Sequence, residues 1–407
     1  MLPTEYTEQD VSREGDWSFR AFRVFRGQQS EGFFFVYFVS FVVKTHPQMP
    51  QHSEPYLSAN ERHPERSLQF DFVRATENAA LSAVDWLGRG DKESADAAAS
   101  DAIRGTLEQS DFCGEVVIGE GIKDNAPGIF LGEKIGSWKF PSPRFNIAVD
   151  PIDGTTNISK GLPNSISVMA AAHVPHGAAA AMVNIPTFYS EKLAYGPAVV
   201  EAMARDPALR FNLDTPIAQV LGHVATALGK KVRQVYVVVL DRPRHAKLIA
   251  DIRTAGAALR LISDGDVTAA VSPSLHDSGI DLYAGIGGSP EGVLTAAGVL
   301  ALGGDQQLRM WPRDAAERAE IKALPAAADL GRIFYAKDLV TSPSAIFCAT
   351  GISDSALLPG VRLIGRKVTT HSILMRSQSR TVRYIRTVHD LDFKTIRRSP
   401  DRRDHYV

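Results

Sequence analysis

Short apolar runs alternate with helical stretches along most of this chain, and many of the runs end on acidic or glycine-rich turns. Strands are predicted over 115–118, 145–149, 165–172, 192–195, 232–240, 259–262 and 282–286, with a further apolar run at 267–271. Over 68–87 apolar residues recur at helical spacing (Phe72, Val73, Ala79, Ala80, Ala83, Val84, Leu87), and Gly88 and Gly90 end that helix. Further helices are predicted over 95–107, 217–228, 244–254 and 292–302. This alternation argues an α/β architecture. The charged, Ala-rich stretch 309–332 predicts a surface helix, and the basic stretch after Arg380 a solvated terminus. No internal repeat is visible.

The 407 residues are 44% hydrophobic, enough for one large or two medium domains with a proper core. Four intervals are expected: an extension over 1–65 with no part in catalysis, an α/β metal-binding part over 66–215, an α/β substrate-binding part over 216–390, and a polar tail over 391–407. A net charge of -1 gives no electrostatic case for nucleic acid or an anionic membrane. An anionic substrate must then be gripped by local positive groups. The run GFFFVYFVSFVV at 32–43 is shorter than the ~20 residues of a membrane-spanning helix. It also follows 31 mostly polar residues, unlike a signal peptide. It reads as a buried or aggregation-prone strand, or as part of an extension upstream of a start at Met49. Cys113 and Cys348 are the only two cysteines, which excludes a disulfide framework and points to a reducing, cytoplasmic setting.

The chemistry concentrates at predicted strand ends. The first such site is Asp150-Pro151-Ile152-Asp153-Gly154-Thr155-Thr156. Pro151 fixes φ and Gly154 permits a tight turn, which can bring Asp150 and Asp153 to one side. Two carboxylates so close repel unless a cation lies between them, which favours Mg²⁺ or Mn²⁺. The amides after Gly154 can open a helix and receive a phosphate, and a Thr hydroxyl beside a carboxylate can orient the attacking water. The same two aspartates could instead serve only the turn. Glu120, between Gly119 and Gly121, can join the cation site or be a plain surface acid. Asp96 sits near a helix start and reads by itself as a cap. Arg242 and Arg244, around Pro243, can grip a phosphate bidentately or lie in a solvated loop; His245 beside them fits core or surface equally. Asp264-Gly265-Asp266 can accept sugar hydroxyls or cap a turn. In Gly287-Gly288-Ser289-Pro290-Glu291-Gly292, bare backbone allows close approach and Glu291 can complete a metal site. Polar groups repeated at strand C-terminal ends fit the ligand-binding edge of an open α/β sheet.

These runs resemble the class II, GlpX-type fructose-1,6-bisphosphatases. WLGRGDKESAD, VVIGEGIKDNAPGIFLGEKIG, IAVDPIDGTTNISKGLPNSISVMA, YSEKLAYGP, RPRHAKLIA, SDGDVTAAV, YAGIGGSPEGVLTAA and FCATGI fall in order between Leu68 and Arg386. The resemblance implies a layered α/β/α/β/α sugar-phosphatase fold, shared with inositol monophosphatases, and removal of the 1-phosphate of fructose 1,6-bisphosphate in gluconeogenesis. It implies Mn²⁺ or Mg²⁺ held by Asp96, Glu120, Asp150, Asp153 and Glu291. Thr155, with Asp150 and Glu120, would carry catalysis. Substrate contacts would be Asp153, Gly154, Thr155, Tyr189, Arg242, Pro243, Arg244, Asp264, Gly265, Asp266 and Gly288. A homodimer or homotetramer is the expected assembly, with no nucleic-acid or membrane partner.

The family often has Glu where this chain has Asp153, and the Trp311-Pro312 stretch departs from its pattern. D-P-I-D-G-T-T-N also resembles inositol monophosphatase-like enzymes, but their W-D-x-A-G motif is absent. Dual action on sedoheptulose 1,7-bisphosphate remains an alternative. So does a sugar-phosphate-binding regulator without activity, although all five expected ligands are acidic here.

Overall fold

The computed structural model describes residues 10–11, 19–22, 38–40, 63–119, 129–324 and 329–399. The chain divides into two compact units, 1–57 and 58–407. The first holds a three-stranded antiparallel sheet of β1 (Asp10–Val11), β2 (Phe19–Phe22) and β3 (Phe38–Ser40). Strand β3 falls within the aromatic run 32–43; the rest of that run and Met49 lie outside the described residues.

The second unit opens with α1 (Glu65–Ala83) and α2 (Lys92–Leu107). Each begins before its apolar periodicity does, because a polar first turn precedes the buried stripe. At α2 the cap is Asp91, whose carboxylate accepts the Ser94 N–H at 2.9 Å; the Ser94 hydroxyl first, and then that N–H, hold the Asp91 carboxyl below its usual range. Asp96 lies further along the helix, half-buried, and is not the cap. Next come β4 (Cys113–Ile118), β5 (Lys134–Ile135), β6 (Arg144–Asp153), the short α3 (Thr155–Lys160) and β7 (Ile166–His173).

The chain then builds a second sheet from β8 (Tyr189–Tyr195), β9 (Tyr236–Leu240), β10 (Ala258–Ile262), β11 (Leu282–Gly288), β12 (Asp305–Trp311) and β13 (Ile333–Tyr335). Between these strands run α4 (Pro197–Arg205), α5 (Ile217–Ala227), α6 (Ala246–Ala255), α7 (Asp266–Val271), α8 (Ser289–Leu302) and α9 (Ala315–Lys322). After α10 (Ala336–Leu339) the chain returns to the first sheet with β14 (Ala345–Gly351), β15 (Arg362–Ile364), β16 (Lys367–Arg376) and β17 (Thr381–Asp390). The eight-stranded sheet runs β15-β16-β14-β7-β6-β4-β5, with β17 also pairing β16; the six-stranded sheet runs β10-β9-β11-β8-β12-β13. The intervals 66–215 and 216–390 therefore each supply strands to both sheets.

Three apolar cores define five layers. Helices α1 and α2 pack on one face of the eight-stranded sheet. Its other face shares a core with α8, α10 and strand β12 of the second sheet. Helices α4, α5 and α6 cover the far face of the six-stranded sheet. The order is α/β/α/β/α, as the resemblance implied. Helix α8 lies between the sheets, which is why its sequence is apolar all round rather than striped. Gly298 on it leaves only 3.1 Å between a would-be Cβ and the Phe347 ring. The one charge in this helix is Glu291, in its first turn.

Three sequence expectations change. The 309–332 stretch is the end of β12 followed by α9, not one helix: Leu308 and Met310 alternate inward from β12 and bury. The stretch after Arg380 is the ten-residue edge strand β17, whose arginines, Arg383 and Arg386, stay solvated beside the exposed Tyr384 and Val388. Residues 391–399 continue onto α2, where Ser399 N–H donates to the Asp101 carbonyl at 3.0 Å. Gly105 makes room there, since a Cβ would stand 2.4 Å from the Arg397 carbonyl oxygen. None of the described helices is long and apolar enough to cross a membrane.

Candidate active site

Strand β6 does not end at Asp150; it continues to Asp153 through an irregularity. Asp150 pairs with Val168 and Asp153 with Ile166, so β6 carries one residue more than β7 over that interval. Side chains three apart on a regular strand face opposite ways, and the extra residue between Asp150 and Asp153 removes that alternation. Both aspartates are 5% exposed. The Asp150 carboxylate accepts the Ile152 N–H at 3.0 Å, which fixes the bend. Gly154 has φ +95°, and a Cβ there would stand 2.5 Å from the Asn164 carbonyl oxygen. Only glycine meets both demands. Thr155 then starts α3, half-buried. The Thr156 N–H, expected to be open for a phosphate, donates instead to the Asp264 carboxylate at 3.2 Å.

The second sheet supplies the opposing wall. Asp264, Gly265 and Asp266 follow β10; Gly288 ends β11 and Glu291 lies in the first turn of α8 after it. Asp266 is buried and paired with the equally buried Lys192 at 2.8 Å, with the Tyr283 hydroxyl donating at 3.3 Å. Gly287 permits this, because a Cβ would stand 1.9 Å from an Asp266 carboxylate oxygen. At Gly288 a Cβ would stand 1.8 Å from a Glu291 carboxylate oxygen, so Glu291 lies directly over bare backbone. Burial first, then the charges of Asp266, Asp264 and Glu291, push the Asp153 carboxyl well above its usual range, against the pull of Lys192.

Arginines and an aromatic ring border the acids. Pairing of β8 with β11 and β12 places Tyr189 between Gly288 and Trp311. The Trp311 ring packs edgewise on Tyr189 at 6.2 Å, and the Arg244 guanidinium stands over Tyr189 at 4.6 Å. Arg244 donates twice to the Ile286 carbonyl, at 2.9 and 3.2 Å. Arg242 lies 3.8 Å from Asp264. Pro243 opens the short turn that carries both arginines. His245 beneath them is buried and structural. Its Nε2 accepts the Ile286 N–H at 2.7 Å, so Nδ1 carries the proton donated to the Leu240 carbonyl at 2.6 Å.

The structure thus gathers Asp153, Gly154, Thr155, Tyr189, Arg242, Pro243, Arg244, Asp264, Gly265, Asp266, Gly288 and Glu291 around the C-terminal ends of β6, β9, β10 and β11 and the start of β8. Asp150 sits on the same strand end as Asp153, and Asp96 on the helix α2 that shares a core with β6. Glu120 lies outside the described residues. Among the described residues no three acids, histidines or cysteines close into a ready cation cage. Yet one carboxylate oxygen each of Asp153 and Glu291 is buried with no hydrogen-bond partner among them. Anionic oxygens in that state are costly unless neutralised, and carboxylates are the donors that hard divalent cations take. The residues present fit such a cation.

The sequence reading missed Lys192, Asn157 and Asn164. Lys192 had a signal: period two puts it on the same strand face as Ser190 and Ala194, and a lysine between two small inward residues needs a buried partner.

Two mixed sheets separated by helices, with an acid-rich cleft at strand C-terminal ends faced by arginines, define the class of layered α/β phosphatases. The family described as bacterial fructose-1,6-bisphosphatase, glpX-encoded, matches residues 66–389, and the chain belongs to it. It is a family of metal-dependent phosphoric monoester hydrolases. Among its relatives is a fructose-1,6-bisphosphatase class 2 of Haemophilus influenzae, 41% identical over 338 residues, which span 80% of this chain and 97% of the relative. A fructose-1,6-bisphosphatase 1 class 2 of Escherichia coli K12 is 38% identical over 355 residues, 84% of this chain and 99% of the relative.

Proposed function

We propose that this chain hydrolyses the 1-phosphate of fructose 1,6-bisphosphate, giving fructose 6-phosphate and phosphate, with Mn²⁺ or Mg²⁺. The observation that carries the reading is the pair of buried carboxylate oxygens on Asp153 and Glu291 that have no partner among the described residues, in a cleft bordered by Arg242 and Arg244. Asp96, Glu120, Asp150, Asp153 and Glu291 would hold the cations. When bound, these supply Lewis-acid charge to the phosphoryl oxygens and lower the pKa of water.

The chain's own groups do the rest. The Thr155 hydroxyl orients the attacking water, with Asp150, and Glu120 by the role the family resemblance gives it, as acceptors for its proton. Arg242 and Arg244 hold the far phosphate; the two bonds from Arg244 to Ile286 fix its fork in advance, so less freedom is lost on binding. Tyr189 and the bare backbone at Gly154 and Gly288 line the sugar, and Asp264 and Asp266 accept its hydroxyls with the oxygen capacity left beyond Thr156 and Lys192. The same reading carries a homo-oligomer, dimer or tetramer, in the cytoplasm. Asp150→Ala is expected to abolish Mn²⁺-dependent phosphate release while circular dichroism stays native; near-wild-type turnover by that variant would sink the assignment.

A further inference from the structure

The cleft is built from loops of two different sheets, and Asn164 makes the shortest of the bonds to Asp264 that join them, beside those from Asn157 and Thr156. Asn164 lies between α3 and β7 of the eight-stranded sheet. Its side-chain amide donates to the carbonyls of Asp264 and Gly265, on the six-stranded sheet, at 2.6 and 3.1 Å. Asn157 reinforces the joint. Its amide donates to the Asn164 carbonyl at 3.2 Å, and its side-chain oxygen accepts the Ser263 hydroxyl at 2.7 Å. Asn164 N–H is tied down separately, donating to the Asp354 carbonyl at 2.7 Å. The fit is tight on both sides. A Cβ on Gly265 would stand 2.4 Å from the Asn164 amide nitrogen, and one on Gly154 would meet the Asn164 carbonyl.

We propose that Asn164 is a positioning residue for sugar recognition, setting the spacing between the Asp153-Gly154-Thr155 side of the cleft and the Asp264-Gly265-Asp266 side. Nothing places it against reacting atoms. It acts through Asp264, whose backbone it holds and whose carboxylate takes the Thr156 N–H and faces Arg242. The phosphate-handling groups Asp150, Asp153 and Thr155 belong to the β6–α3 segment itself and keep their geometry without the clamp. Apart from Gly154, the groups assigned to the sugar and the far phosphate belong to the other sheet, and among them Asp264 and the Arg242 it faces depend on the clamp. The backbone explains why asparagine stands here: φ is +77°, a left-handed conformation that asparagine tolerates better than most side chains. Glycine would keep that conformation and lose the amide, so backbone and clamp can be separated by mutation.

This inference rests on the proposed function. Its test compares wild type, Asn164→Gly and Asn164→Asp, full length with Mn²⁺, on fructose 1,6-bisphosphate and on p-nitrophenyl phosphate, an ester with no sugar. A misplaced recognition loop lowers kcat/KM on the bisphosphate about 100-fold, mostly through KM. Turnover of the nitrophenyl ester stays within about 3-fold, because its hydrolysis uses the β6–α3 groups and Glu291 of α8, not the 264–266 loop that Asn164 holds. Equal losses on both esters, or no loss on the bisphosphate, would overturn the clamp. Should Asn164→Gly melt early, Asn164→Asp decides by the same ratio, since it keeps the shape and replaces the donor with an acceptor. A wild type that prefers another sugar phosphate overturns the functional reading alone; the same ratio taken with that ester still decides the clamp.

Discussion

His245 illustrates how far residue type alone leads. Beside two arginines in a loop after a strand, it fits a phosphate ligand, a surface group or a core group equally. Its partners decide: Leu240 lies five residues back, but Ile286 lies 41 residues on. Burial, and then the charges of Arg244 and Arg242, hold its pKa below the usual 6.5 despite the two backbone bonds. It is therefore neutral where it bridges the arginine turn to β11. Below pH 6.5 the unfolded chain takes up a proton that the folded one resists, so this stabilisation is full above 6.5 and fades as pH falls through the folded value. His245→Ala should cost about 3 kcal/mol at pH 8, from two lost bonds and a cavity. The gap to wild type in thermal unfolding should shrink toward pH 5, and a constant gap would contradict the assignment. Asp150 to Thr155 was legible because proline, glycine and two acids in so short a run leave few other uses. Of Lys192 only the burial was legible; its partner Asp266, and the partner Asp264 of Asn164, lie 74 and 100 residues away and were not.

Elements with strong periodicity could be read directly, and those that borrow their character from neighbours could not. Helix α1 follows its apolar stripe, but its first residue, Glu65, was assigned to the extension. It is fully buried and joined to the Ser344 hydroxyl and the Arg376 guanidinium. Burial pushes this carboxyl up, yet those two partners together bring it below its usual 4.5. The stabilisation is present above pH 4.5 and lost as pH falls through the lower folded value. Glu65→Gln leaves Arg376 facing an uncharged partner and should cost about 3 kcal/mol at pH 7. Denaturant titrations should find that gap closing below pH 4.5; equal costs at pH 7 and pH 3.5 would rule the ion pair out as its source. Strand β17 escaped the sequence reading for the opposite reason. Pairing on one edge with β16 orders it while leaving Arg383, Tyr384 and Arg386 exposed, so composition suggests a solvated tail.

On the scale of the whole molecule, the two sheets share α8, and the cleft opens where strand ends of both approach its first turn. That places the one charge of a buried helix, Glu291, beside Asp153 from the other sheet. The α/β class was legible from the alternation of runs, and the α/β/α/β/α order only through the family resemblance. The interleaving of chain segments between sheets was not, because no local pattern records which strand pairs with which. The most direct test of the central claim is phosphate release by the purified full-length protein. The assay uses Mn²⁺ or Mg²⁺, against metal-free controls, on fructose 1,6-bisphosphate, sedoheptulose 1,7-bisphosphate and inositol 1-phosphate. Cation-dependent release with fructose 1,6-bisphosphate the best substrate is the predicted result; preference for inositol 1-phosphate, or release unchanged by chelation, would contradict it.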